Sequence, residues 1–220
     1  MKVFSRLAMV IGLSLFTVAR LTAAGPASGS STASDSSVKS VAADTPEATF
    51  DAMKGAAAKK DWAGFSSGLT SESQDLMIGA LGMMSMMPGG PDAEKMKGLT
   101  ETMTKHGAKP IGLPDILATA GDQAKVMALL GKVGADVKDK PACIGDAMIW
   151  IEKNMDKDSP MKANFKPDEI TASTLSDVKI DGDMAKAKVK AKDGKTEDVD
   201  FKKVEGKWYM DMAAKAKAGK

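Results

Sequence analysis

Ile170 to Met212 reads ITASTLSDVKIDGDMAKAKVKAKDGKTEDVDFKKVEGKWYMDM, and three turn dipeptides divide it: Asp181-Gly182, Asp193-Gly194 and Glu205-Gly206. Glycine accepts the positive φ of tight hairpin turns, so each pair marks a reversal between short strands. The stretch therefore predicts a meander of four antiparallel strands. Ala185, Ala187, Val189 and Ala191 alternate with Lys186, Lys188 and Lys190, and Val199 and Phe201 alternate with Asp198, Asp200 and Lys202. Period two sends one set to each face of the sheet. A three-residue loop with Gly194 in third place sets Lys188 opposite Asp198, Lys186 opposite Asp200, Ala187 opposite Val199 and Ala185 opposite Phe201. A two-residue turn at Glu205-Gly206 then sets Phe201 opposite Met210 and Val199 opposite Met212, with Trp208 on the same apolar face. A slip of one residue would bury the lysines, which fixes the register.

A sheet that is apolar on one face needs a second layer. The fold class is therefore α+β: N-terminal helices packed on a C-terminal four-stranded antiparallel meander, cone-like, with an enlarged helical middle.

At the other end, Lys2 and Arg6 precede an apolar run from Leu7 to Ala19, followed by the small residues Thr22-Ala23-Ala24. The run has 13 residues, short of the roughly 20 that span a bilayer. Residues 1–24 read as a secretory signal peptide cleaved near Ala24, which puts the mature chain in the periplasm or outside the cell with no stable membrane anchor. Cleavage removes three of the 31 basic residues and none of the 29 acids, so 28 lysines face 29 carboxylates. Both arginines, Arg6 and Arg20, lie in the leader. A chain without Arg and without net positive charge is poorly suited to nucleic acid. Cys143 is the single cysteine; it rules out an internal disulfide and reads as a buried, inert thiol.

Residues 25–43 are rich in Ser, Ala and Gly without apolar periodicity and read as a disordered tether. A single domain is expected over 44–214, with an elaborated helical part at 71–166, and Lys215–Lys220 as a Lys-rich tail. Thr45 suits an N-cap and Pro46 the first helical position. Phe50, Met53 and Ala57 share a helical face, and Trp62, Phe65 and Leu69 form a second apolar group. Ser71 with Gln74 reads as a capping box opening a helix that breaks at Pro88–Pro91. Further helices follow from Asp92 to Lys105, stopped by Gly107; from Asp122 to Gly134; and over Ala142–Met155, with a short piece at Asp115–Ala120.

Thr45-Pro46-Glu47 and Asp61-Trp62 at the front, with Gly182-Asp183-Met184-Ala185, Ala187, Val189 and Val204-Glu205-Gly206-Lys207-Trp208-Tyr209 at the back, resemble the nuclear-transport-factor-like, or cystatin-like, α+β superfamily. That resemblance implies helices over a curved sheet and a cone between them, used by some members as ketosteroid isomerases or polyketide-cyclase-like enzymes with Asp, Tyr or His at its base. The middle, 71–166, departs from the pattern, because small members connect helices to sheet more briefly.

The chemistry expected of such enzymes is thin here. His106 is placed at a helix end, and Tyr209 falls on the sheet face opposite Trp208. The carboxylates cluster at turns and on the outer sheet face, without the apolar surroundings that raise a carboxyl pKa. No phosphate loop, no zinc spacing and hence no cofactor is indicated. The leading expectation is an exported, non-enzymatic protein whose cone, lined by Trp62, Phe65, Phe201, Trp208 and Met210, holds a small apolar ligand or a protein partner. Two alternatives stand beside it. One is an isomerase- or cyclase-like enzyme. The other is periplasmic Cu(I) binding by Met83, Met84, Met86 and Met87, a thioether cluster in a chain with 17 methionines.

Overall fold

The computed structural model describes residues 38–85, 93–119, 122–156, 159 and 167–214. Residues 1–24, expected to be a signal peptide, together with Met86, Met87, the expected Pro88–Pro91 break, Asp92 and the Lys215–Lys220 tail, lie outside them. In chain order the elements are α1 (Pro46–Ala58), α2 (Trp62–Ser67), α3 (Ser71–Ser85), α4 (Ala93–Lys105), α5 (Leu113–Thr119), α6 (Gln123–Gly134), α7 (Lys140–Asn154) and α8 (Pro167–Thr171). The strands β1 (Thr174–Asp181), β2 (Met184–Lys190), β3 (Thr196–Val204) and β4 (Lys207–Met210) complete it. The chain is α+β, with the sheet at its C-terminal end.

The sheet is a meander in the order β1-β2-β3-β4, antiparallel throughout. Its register between β2 and β3 is the one the charge and apolar alternation dictates: Ala185 faces Phe201, Lys186 faces Asp200, Ala187 faces Val199 and Lys188 faces Asp198. Gly194 sits third in the connecting loop at φ 84, and its N–H closes the turn onto the Ala191 carbonyl at 2.9 Å. Glu205 and Gly206 both take positive φ, 50 and 80, the geometry of a two-residue hairpin turn. Phe201 then meets Met210. The ladder ends there apart from one bond in register, Asp211 N–H to the Asp200 carbonyl at 2.7 Å, so the expected Val199–Met212 pair lies beyond the strand. The cause is Asp211, whose carboxylate accepts from the Ala213 and Ala214 amides at 3.0 and 3.2 Å and turns the chain into a helical bend.

Three further local readings are corrected. Ile170 and Thr171, taken as the start of the sheet, close the short helix α8. Pro167 opens that helix and Asp168 and Glu169 occupy its first turn, where carboxylates favour a helix start. The cap of α3 lies one residue earlier than expected: Thr70 Oγ1 accepts from the Ser73 N–H at 3.3 Å. Gln74 turns its amide instead onto the Ser66 and Leu69 carbonyls, each at 3.0 Å. The tether also ends early, because Ser40 to Ala43 are hydrogen-bonded to the domain.

β1 carries a feature that alternation does not show. Its register shifts between Ser176 and Lys179, where Asp177 adopts φ 54. Asp is among the few residues that tolerate this left-handed conformation. A bulge of this kind bends its strand and blunts an open sheet edge. Lys188, which alternation pairs with Asp198, also reaches back to Asp177 at 3.2 Å.

Helix α1 packs on both outermost strands, β1 and β4. It is held by its Thr45 cap, which accepts from the Ala48 amide at 3.1 Å, and by an apolar face of Phe50, Met53, Ala56 and Ala57. The helical middle packs beside it: α7 lies against α2, α3 and α4, and α3 lies against α6. Cys143, Ile144, Ala147, Met148 and Ile151 on α7 are buried in one continuous core with the sheet residues.

Two glycines set how closely these helices approach. A Cβ on Gly79 of α3 would stand 2.2 Å from the Leu130 carbonyl oxygen of α6, and one on Gly145 of α7 would stand 2.8 Å from the Ala63 Cβ of α2. Backbone cannot yield as a flexible side chain can, so Gly79→Ala is expected to destabilise by about 2–3 kcal/mol through overpacking. Gly55, exposed on α1 with open space around it, should respond oppositely. There Gly55→Ala is expected to stabilise by about 0.5–1 kcal/mol through helix propensity. Urea midpoints of the two variants at constant m-value check both signs.

Candidate functional site

The sheet's inner face is built by parity from Ala185, Ala187, Val199, Phe201, Trp208 and Met210, all buried. Across from it, the Asp61 carboxylate caps α2 by accepting from the Gly64 amide at 2.8 Å. This cap places Trp62 and Phe65 one turn apart, with their rings edge to face at 6.1 Å and 79°. Such contacts add about 0.5–1.5 kcal/mol to simple burial. The two groups are joined where the chain leaves α2. Met210 N–H donates to the Gly68 carbonyl at 2.9 Å, and Thr70 N–H donates to the Met210 carbonyl at 3.0 Å. The structure therefore holds Phe201, Trp208 and Met210 on one wall, with Trp62 and Phe65 on the element stitched to it. Trp62 is 2% exposed and Phe65 9%.

Polar side chains in this region serve the backbone. Thr49 of α1 is fully buried; its Oγ1 accepts from the Ala43 N–H at 3.0 Å and donates to the Trp208 carbonyl at 2.9 Å. Ser67 of α2 accepts from the Val41 N–H at 3.0 Å, while its own hydroxyl donates to the Gly64 carbonyl. Ser73 and Thr70 share a hydroxyl contact of 2.7 Å beside Asp211. Sequence reasoning missed Thr49 and Ser67. A faint signal existed for Thr49, which stands four residues before Met53 on the apolar face of α1.

One half-buried carboxylate, Asp211, lies here and is engaged by Thr70, Ser73 and the Ala213 and Ala214 amides; His106 and Tyr209 lie elsewhere. Among the described residues no Asp, Glu, His or Tyr is buried. His106 Nε2 meets Asp146 Oδ2 at 2.9 Å on the helical side, with Asp146 largely exposed. Tyr209 lies on the outer sheet face, paired with Lys202 as parity requires. Lys140 reaches Asp75 at 2.8 Å and Ser71 Oγ at 2.7 Å, a clamp between the starts of α3 and α7. Among the described residues no group of three His, Cys, Asp or Glu is arranged to hold a metal ion. Met83 and Met84 are half-buried and pack against the core, and their companions Met86 and Met87 lie outside the described residues.

Comparison of this chain with protein-family models, with curated proteins and with solved structures gave no match.

Cys143 is wholly buried, and its thiol is pushed up to about 12 by burial first and then by Asp146 and Asp139. It should resist a thiol reagent in the native protein and react only on unfolding. The folded pKa lies above the ordinary thiol value of 9.0, so the unfolded chain loses this proton first as pH rises. The thiol's contribution to stability is intact below about pH 9 and falls between 9 and 12, by up to about 1.4 kcal/mol per pH unit. Cys143→Ala should remove that component from a stability–pH profile. Thr49→Val keeps the shape but leaves the Ala43 N–H and the Trp208 carbonyl without their shared partner. A loss of about 1–3 kcal/mol is expected in urea denaturation.

Proposed function

We propose that this chain is an exported, non-enzymatic binding protein of the nuclear-transport-factor-like type, holding a small apolar ligand at the junction between α1–α2 and the sheet. The observation that carries this reading is the make-up of that junction: aromatic and thioether side chains beside the small Ala185 and Ala187, with hydroxyls committed to main-chain bonds. Apolar sites recognise by shape and area and need few polar groups. The isomerase- or cyclase-like alternative requires a free acid or base between helices and sheet, and the half-buried carboxylate near the junction, Asp211, already accepts from Thr70, Ser73 and the Ala213 and Ala214 amides. The copper alternative rests on Met83 and Met84 with Met86 and Met87, and the first two are partly engaged in packing.

Titration with an uncharged apolar fluorescent probe such as N-phenyl-1-naphthylamine, followed by energy transfer from tryptophan, tests the proposal. Saturable binding of one probe per chain is expected, with Trp62 and Trp208 as donors. Ala187→Leu adds bulk on the inner face opposite Val199 and should weaken that binding at least tenfold while the circular dichroism of the fold is retained. Probe binding that survives unchanged in Ala187→Leu, or that is absent from the wild-type chain, refutes the assignment.

A further inference from the structure

We infer that residues 40–43 are a releasable strap gating the junction between α2 and β4, an inference that rests on the binding reading above. The strap is bonded to both walls of that junction and to the helix between them. Ser40 Oγ donates to the Ser67 carbonyl at 3.1 Å, and Val41 N–H donates to Ser67 Oγ at 3.0 Å, fixing it to the end of α2. Trp208 N–H donates to the Ala43 carbonyl at 2.8 Å, fixing it to the edge of β4. Ala43 N–H reaches Thr49 Oγ1 of α1, which itself donates to the Trp208 carbonyl. The elements it joins carry Trp62, Phe65, Trp208 and Met210, four of the five residues assigned to the apolar site.

The strap is also the part of this region best placed to leave. It lies outside the helices and the four-stranded ladder, joined to the sheet through the single Ala43–Trp208 bridge. Val41 is its half-buried apolar anchor, packed against the core near Gly68, where an added Cβ would meet Val41 Cγ2 at 3.0 Å. Segments held by a few main-chain bonds and one apolar contact open locally, without global unfolding. Access to buried sites is commonly set by such motions.

The Trp208 amide donates to Ala43 alone among the bonds described, so its hydrogen exchange reports the strap. In the full chain, Trp208 exchange is expected to proceed through a denaturant-insensitive opening. Val41→Ser should speed it at least tenfold and leave the β2–β3 amides of Ala187 and Phe201 unchanged; Ser40→Ala is the milder second variant. The association rate of the apolar probe should rise by a similar factor in Val41→Ser. Trp208 exchange that occurs only with global unfolding overturns the strap. Local opening with equal probe association rates in both proteins overturns the gate and leaves binding intact. Local opening with no probe binding by either protein overturns the binding reading, and the gate with it.

Discussion

Everything in this fold follows from a sheet whose two faces cannot be exchanged. On β2 and β3, Ala185, Ala187, Val199 and Phe201 point one way while Lys186, Lys188, Asp198 and Asp200 point the other. Burying a lysine without a partner costs several kcal/mol, whereas each outer ion pair contributes at most about 1 kcal/mol. The register is therefore set by what must stay out of the core more than by the salt bridges themselves. The apolar face then requires a cover, and α1 supplies it by packing on the first and last strands together. The bulge at Asp177 interrupts the outermost strand β1, and its charge leaves that open edge unattractive to another strand.

The sheet was legible because its information is local. Hairpin turns declare themselves through Gly194 and Gly206, and parity propagates from them along each strand. Helix starts at Thr45 and Asp122 are equally local, since each cap is a side chain reaching an amide three residues on. Asp139 caps α7 in the same way, but sequence reasoning missed it, the helix being expected from Ala142. Where two local solutions compete, sequence is ambiguous. Ser71-x-x-Gln74 and Thr70-x-x-Ser73 are both plausible helix starts, and the contest is decided by tertiary contacts, as Gln74 is drawn to carbonyls at the end of α2.

The packing of the middle and the strap are of a different kind. Gly79 against Leu130 and Gly145 against Ala63 are meetings of residues far apart in the chain. A lone glycine within a helical pattern carries no sign of what will lie against it. The strap is harder still to read, because Ser40-Val41-Ala42-Ala43 has the composition of a tether and is ordered by receptors elsewhere, at Ser67, Thr49 and Trp208. The five residues named for the site were found by parity and helical spacing, which identify an inward side chain but not what it faces.

The same distinction bears on how a closed junction could admit a ligand. Prising α1 from the sheet would expose Phe50, Met53, Phe201 and Trp208 together, and fully exposing each such side chain costs about 1.5–3 kcal/mol. That sum approaches the whole stability of an ordinary domain, about 5–15 kcal/mol. Lifting the strap breaks four hydrogen bonds, each of net value near 1 kcal/mol, and frees one half-buried valine. The strap route is therefore several kcal/mol easier than any motion of the core. Since Thr49 joins the strap to both α1 and β4, release of residues 40–43 would also loosen the edge against which Trp208 and Met210 are held. Strap and sheet edge thereby meet at one point, the hydroxyl of a threonine that sequence alone presents as an ordinary helical residue.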